Sequence, residues 1–384
     1  MLPILSAVAA LAAIVNTLFW WVGTRRLVGR LRWRPPGTGD QVGSRHPAET
    51  FDPAARLPRA TVLVAARNEA DNLRRYVPLL VAQDYPALEV VVVDDASADA
   101  SADVLRVLAA AEPRLRALRV DEKTRPGKKE ALALGLERTD APWVLATDAD
   151  CAPASPQWAR RMLYSCGPDT EFVLGYGPLR RGPGALNRWI RFETTYTAIQ
   201  YLSAALLGRP YMGVGRNLLY ARAAYERVGG FAAHAHLAGG DDDLLVSAAA
   251  TRANTAVCVD EEAWVYSAAK GSWSAYLRQK RRHLSVSVAY RPLDQAWLAA
   301  LALSHVALYA ALGGLVLIGA HEAAALLYAL RAINVWPRWV RLAQGLGQAD
   351  LAWWWPLLDA GAAVYYAAAP LLLVWGGSGR RADW

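Results

Sequence analysis

The chain has 384 residues, 54% of them hydrophobic, and carries 42 basic against 34 acidic side chains for a formal charge of +8. Its length allows one large domain plus extra segments, and the apolar share is high for a purely soluble protein. The basic residues gather beside the apolar ends with no nucleic-acid motif, which favours an anionic leaflet over nucleic acid as partner. Three cysteines (Cys151, Cys166 and Cys258) without CxxC spacing argue against a disulfide framework or a zinc site and agree with a reducing cytosolic face.

Leu2 to Val22 has no charged side chain and is about long enough to cross a bilayer. Arg25, Arg26, Arg30, Arg32 and Arg34 follow directly, and the positive-inside tendency keeps them in the cytoplasm. Residues 1–24 therefore read as a retained N-terminal anchor. A cleaved signal peptide would close on small residues, whereas Trp20, Trp21 and the arginines close this segment. Residues 25–59, basic and rich in Pro and Gly, read as a linker.

From residue 60 to 291, apolar runs alternate with helical patterns. Thr61 to Ala66 precedes a helix from about Glu69, Leu88 to Asp94 precedes one from about Ser101, and Trp143 to Thr147 precedes one from about Ser155. This alternation predicts an α/β domain with a mostly parallel sheet flanked by helices. The run Val90-Val91-Val92-Val93 fits a strand buried on both faces. Ligands of such sheets gather at the carboxyl ends of strands, where Arg67-Asn68-Glu69, Asp94-Asp95 and Asp148-Ala149-Asp150 stand. If strand geometry continues through the last motif, Asp148 and Asp150 project to one side and can share Mg²⁺ or Mn²⁺ against a nucleotide diphosphate.

Gly127-Lys128-Lys129 opens a helix where terminal amides and Lys128 can meet phosphate, although P-loop spacing is missing. Asp241-Asp242-Asp243 precedes an apolar stretch. One such acid suits a helix N-terminus, but three repel one another unless a cation, a proton or a substrate hydroxyl is near. Gln279-Lys280-Arg281-Arg282-His283 falls on a helix spanning roughly Ser272 to Tyr290. The C-terminal membrane region, 292–384, holds two or three spans: Ala296 to Ile318, Trp353 to Trp375, and between them Glu322 to Gly347, either a crossing or an interfacial hairpin. Trp336, Trp339, Trp353, Trp354 and Trp355 fit an interfacial aromatic belt.

Taken in order, these motifs resemble a membrane-integrated family 2 glycosyltransferase with a GT-A fold, over about residues 60 to 290. Ala66, Arg67, Asn68 and Glu69 resemble the opening nucleotide-binding turn, and Asp94-Asp95 resembles the acid pair that meets the uracil or ribose. Asp148 and Asp150 resemble the metal and diphosphate motif. Gly213, Gly215, Arg216 and Asn217 resemble the acceptor-side segment, and Asp241 resembles the catalytic base. Gln279, Arg282 and His283 resemble a Gln-x-x-Arg-Trp motif, which implies Gln279 and Arg282 on the nucleotide side. Two positions depart from the pattern. Gly240 replaces the Glu that precedes the base, which leaves Asp242 as a second candidate, and His283 replaces the Trp that helps form the acceptor floor in related synthases.

The resemblance implies an inverting, metal-dependent transfer from a nucleotide sugar, UDP-linked by preference, without a covalent enzyme intermediate. Asp241 would take the acceptor proton, Asp148 and Asp150 would hold Mg²⁺ or Mn²⁺, and Lys128 and Arg282 would add positive charge. Anchoring such a site under a bilayer favours a lipid or other membrane-embedded hydroxyl as acceptor. A processive polysaccharide synthase and a non-catalytic membrane scaffold are the alternatives. The expected location is a bacterial-type inner membrane with the catalytic domain cytoplasmic.

Overall fold

The structure, a computed structural model, describes residues 1–31 and 58–374. Residues 32–57, most of the expected linker, and Trp375 lie outside the described residues. The described chain forms two compact units. One comprises residues 58–180 and 208–269 and is built on a sheet; the other comprises residues 1–31, 181–207 and 270–374 and is helical.

The sheet unit contains β1 (Ala60–Ala66), β2 (Leu88–Asp95), β3 (Leu115–Val120), β4 (Trp143–Ala146), β5 (Ala152–Pro153), β6 (Phe172–Gly175), β7 (Leu218–Ala221), β8 (Thr255–Cys258) and β9 (Val265–Tyr266). Seven of them make one sheet in the order β3-β2-β1-β4-β7-β6-β8, while β5 and β9 form a separate antiparallel pair. Strands β3, β2, β1 and β4 run parallel, as the alternating pattern predicts. Strand β7 runs antiparallel to both neighbours, so the sheet is mixed beyond β4.

Burial on both faces explains the β-branched content of the central strands. Every residue of β1 is buried, and Val90 to Val93 of β2 are fully so. On one face Val62, Val64, Val90 and Val92 pack with Leu73, Val77 and Leu80 of helix Ala70–Val81. On the other, helix Lys129–Glu137 comes so close that a Cβ at Gly135 would lie 2.4 Å from Leu63 Cδ1. Parallel register then levels the strand ends. Ala66 lies beside Asp94, Leu63 beside Ala146, and Asp95 beside Val120, so the turns after β1, β2, β3 and β4 leave one edge of the sheet.

Among the described residues of the helical unit, three helices are long and apolar enough to cross a membrane: Leu2–Arg30, Pro292–Leu317 and Trp355–Leu373. The segment left open between crossing and hairpin is one helix, His321–Gly345, with Pro337 and Arg331 inside it, and it is not among those three. Small residues allow close approach: Ala9 and Ala12 pack with Leu308, Ala311 and Leu315. Arg331 and Asp359, each about 1% exposed, form an ion pair at 2.8 Å, to which Tyr309 adds a hydrogen bond at 2.7 Å. The expected aromatic belt needs correction for two members. Trp339 and Trp355 are completely buried, Trp339 against Phe192 and Trp20, whereas Trp353 and Trp354 are exposed.

Candidate active site

The turn after β1 is laced to the turn after β2. Asn68 N donates to Ser97 Oγ (2.9 Å), Glu69 N to Ser101 Oγ (2.9 Å), and Ala98 N to Asn68 Oδ1 (2.8 Å). Asn68 and Ala96 both adopt positive φ, 56° and 53°, a conformation that costs a non-glycine residue energy and that these cross-bonds hold in place. Ala66 is buried at the strand end, Arg67 and Glu69 are half-buried, and Asn68 is exposed.

Asp94 and Asp95 differ in their surroundings. Asp94 accepts from Ser97 N at 3.1 Å and faces the Arg119 guanidinium at 3.2 Å. Asp95 is wholly buried and paired with the Lys123 ammonium, which also donates to Gly127 O at 2.6 Å. Lys123 was not among the residues singled out by motif. It sits in an irregular segment with no periodic signal, and only the fold brings it to Asp95.

Asp148 and Asp150 are brought together by a turn. Strand β4 ends at Ala146, and the chain then folds so that Cys151 N donates to Asp148 O at 3.1 Å. Alternation along a continuing strand is therefore not what aligns the two acids. Their carboxylates and the Cys151 thiol still lie within 4.8 Å of one another. Burial, then the two neighbouring carboxylates, push that thiol well above its ordinary range, so it stays protonated and donates to Asp150 Oδ1 at 3.3 Å. The two carboxylates are hard oxygen donors of the kind that Mg²⁺ and Mn²⁺ prefer.

Lys128, the residue before helix Lys129–Glu137, joins these acids to the second cluster. Its ammonium lies 2.6 Å from Asp148 Oδ1 and 3.0 Å from Asp241 Oδ2. Burial works against its charge, but Asp148, Asp241 and Asp242 outweigh it and hold Lys128 well above the usual lysine range. The turn that presents it is tightly built: Gly127 has φ +76°, and a Cβ there would lie 2.1 Å from Ala238 O. Lys129 points elsewhere, donating to His234 O (2.6 Å) and Leu237 O (3.0 Å), and so ties the same turn to the loop ahead of Asp241.

The three acids at 241–243 divide their tasks. Asp242 caps helix Asp243–Ala249, accepting from Asp243 N at 2.8 Å and, through its other oxygen, from Gly215 N. Burial and the adjacent Asp241 raise its carboxyl to about 6. Both oxygens of Asp242 are thus committed to backbone, while Asp241 faces Lys128. Gly240, in place of the family's Glu, turns the chain with φ +84°, a conformation a glutamate would adopt only under strain.

Gly215 forms the wall of this cluster: a Cβ there would stand 3.0 Å from Asp242 Oδ2 and 3.4 Å from Lys128 Nζ. Gly213 is packed against Leu218, Val246 and Leu174. Arg216 is half-buried, its guanidinium donating to Ser267 Oγ (3.0 Å) while its carbonyl accepts from Thr147 Oγ1 (2.9 Å). Asn217 is fully buried. Its amide donates to Tyr176 O and Ala263 O, both 2.8 Å, and accepts from Trp158 Nε1 at 2.9 Å, so it holds the loop in place instead of touching a ligand. Gln279, Arg282 and His283 belong to the helical unit, on helix Trp273–Ser287, at the three- and four-residue spacing that shares a face. There Lys280 pairs with Glu193 at 2.5 Å.

The sheet thus switches from parallel to antiparallel pairing, with acids at its strand ends and a lysine between Asp148 and Asp241, and the comparisons supply the family. The family model described as glycosyltransferase like family 2 matches residues 58–285, more than half of the sequence, and the chain belongs to that family. Two curated relatives match shorter stretches. The chain is 36% identical over 108 residues to succinoglycan biosynthesis protein ExoO of Rhizobium meliloti, and 32% identical over 107 residues to glycosyltransferase AglE of Haloferax volcanii. These stretches span 28% and 27% of this chain, and 30% and 34% of the relatives' own length. Among solved structures, mannosyltransferase PcManGT of Pyrobaculum calidifontis, in complex with GDP-Man and Mn²⁺, has a TM-score of 0.63 at 23% identity, covering 98% of this chain and 99% of that one. That likeness is one of fold.

Proposed function

We propose that this protein is an inverting, metal-dependent glycosyltransferase that moves one sugar from a nucleotide sugar, UDP-linked by preference, to a lipid or other membrane-embedded hydroxyl. The observation that carries the reading is the Lys128 ammonium between Asp148 and Asp241, which puts one metal-type acid and the base-type acid on one cation. Asp148 and Asp150 would hold Mg²⁺ or Mn²⁺, which when bound offsets negative charge on a leaving diphosphate. Asp241 accepts the proton of the acceptor hydroxyl; Asp242 fixes the helix start and Gly215, which favours Asp241 over Asp242 as the base. Lys128 binds phosphate oxygens, while Arg67 to Glu69, Asp94 and Asp95 line the nucleotide side. Gly213 and Arg216 serve the acceptor side.

Three helices of membrane-spanning length among the described residues support a membrane-embedded acceptor, and Arg25, Arg26 and Arg30 after the first of them favour the cytoplasmic side for that helix end. The mannosyltransferase of similar fold carries GDP-Man and Mn²⁺, so GDP-mannose belongs beside the UDP-sugars in any donor panel. The test is to incubate membranes containing the protein with labelled nucleotide sugars and extract the lipids. One sugar per acceptor in the organic phase supports the reading. A ladder of lengths indicates a processive synthase, and donor binding without any transfer indicates a scaffold.

A further inference from the structure

Three lysines crowd the turn before helix Lys129–Glu137, and each has a different set of partners. Lys123 is held by Asp95 and Gly127 O, and Lys129 by two backbone carbonyls of the loop 234–237. Lys128 alone has two site acids as its partners, Asp148 at 2.6 Å and Asp241 at 3.0 Å, and its side chain is only 17% exposed.

That placement creates a conflict. The carboxylate that Lys128 neutralises is the same one that the proposed metal site needs. An ion on Asp148 would meet the ammonium as a like charge in a partly buried setting, where such repulsion is poorly screened. Without Lys128, though, Asp148, Asp241 and Asp242 would lose the ammonium that offsets their mutual repulsion. A diphosphate removes the conflict, because its oxygens give both cations a partner. We infer that Lys128 is a positioning residue that couples metal binding to nucleotide binding. Before the nucleotide arrives, the ammonium occupies Asp148 and keeps divalent-metal affinity low; once a diphosphate is present, the ammonium turns to phosphate and Asp148 is released. This inference rests on the metal site of the proposed function.

The test is direct Mn²⁺ binding to the full detergent-solubilised chain by calorimetry, with Mn²⁺ as the only ligand. Lys128→Gln is expected to bind Mn²⁺ about tenfold more tightly than the wild type, the scale on which groups around metal ligands act. Lys128→Arg, which keeps the charge, is expected to bind as weakly as the wild type. Unchanged or weaker Mn²⁺ binding by a folded Lys128→Gln overturns the inference. A second measurement uses only the wild type: UDP and GDP are titrated in turn with and without Mn²⁺, and one of them is expected to tighten Mn²⁺ and to be tightened by it to the same extent. Independent binding of nucleotide and metal overturns the inference even if the variant fails to fold. A wild type that transfers sugar while Lys128→Gln gains no Mn²⁺ affinity loses this inference and keeps the function.

Discussion

Asp148 and Asp241 pair with one ammonium, at 2.6 Å and 3.0 Å from Lys128 Nζ. The first leaves the end of β4 and the second precedes helix Asp243–Ala249, so only the folded sheet unit makes them neighbours. The pairing gives each acid a testable role. Asp148→Asn keeps the shape of the turn but weakens the grip on a divalent ion, and Asp241→Asn removes the proton acceptor. Each is expected to lower transfer at least about 100-fold with little loss of stability. Initial rates with labelled donor at saturating Mn²⁺, alongside thermal unfolding, check both.

Asp242 gives the pH dependence a sign. Its carboxyl is raised to about 6, so it takes up a proton as the pH falls through that value and loses the charge that holds Gly215 N and Asp243 N. Transfer is therefore expected to decline below about pH 6, and Asp242→Asn is expected to flatten that limb. The stability linkage runs the other way. Because the folded value lies above the ordinary 3.8, the folded chain holds this proton more tightly than the unfolded one. The contribution is fully present below about pH 4 and is lost as the pH rises through about 6. Unfolding midpoints of wild type and Asp242→Asn at pH 5 and pH 7 measure it.

Gly215 leaves little room for a methyl group beside the site, with Asp242 Oδ2 at 3.0 Å and Lys128 Nζ at 3.4 Å from the Cβ it lacks. Gly215→Ala is expected to displace the two side chains and cut turnover about tenfold or more, with a stability loss of about 1–3 kcal/mol. Transfer kinetics and a denaturant midpoint on the same preparation separate the two effects.

Asn217 is the structural counterpart. Three buried hydrogen bonds depend on its amide, and Asn217→Leu leaves Tyr176 O, Ala263 O and Trp158 Nε1 without that partner. A loss of about 3 kcal/mol or more is expected, visible as a lowered unfolding midpoint.

Much of this was legible in the sequence, and the limits have physical causes. Strands β1 and β2 announce themselves because strands covered on both faces must be apolar throughout, and the acids stand out because they interrupt such runs at the carboxyl ends. The helix carrying Gln279, Arg282 and His283 was expected over Ser272 to Tyr290 and runs Trp273–Ser287, starting at a serine cap. By contrast, β7 is four residues of ordinary apolar sequence, and nothing in Leu218–Ala221 states that it pairs antiparallel with β4. The pairings Lys123 with Asp95 and Lys128 with Asp241 are set by tertiary approach, which leaves no periodic trace. Cys151 could have been noticed, since it directly follows Asp150. Its nearness to both carboxylates, however, depends on the turn that replaces the expected strand geometry.

The helical unit makes its own prediction. Arg331→Leu strands Asp359 in a buried setting and is expected to cost about 3–5 kcal/mol, while Arg331→Leu combined with Asp359→Leu is expected to recover much of it. The yield and unfolding temperature of protein in detergent, compared across the single and double variants, check the coupling.

The central claim is that Asp148 and Asp150, after β4, hold one metal–diphosphate unit that Asp241 faces from the loop before helix Asp243–Ala249. It is tested most directly by the anomalous scattering of Mn²⁺ in crystals grown with Mn²⁺ and UDP or GDP. The account predicts one Mn²⁺ peak in contact with Asp148 and Asp150, a diphosphate within reach of Lys128, and Asp241 facing the same space. Mn²⁺ and nucleotide bound away from Asp148 and Asp150 would contradict it.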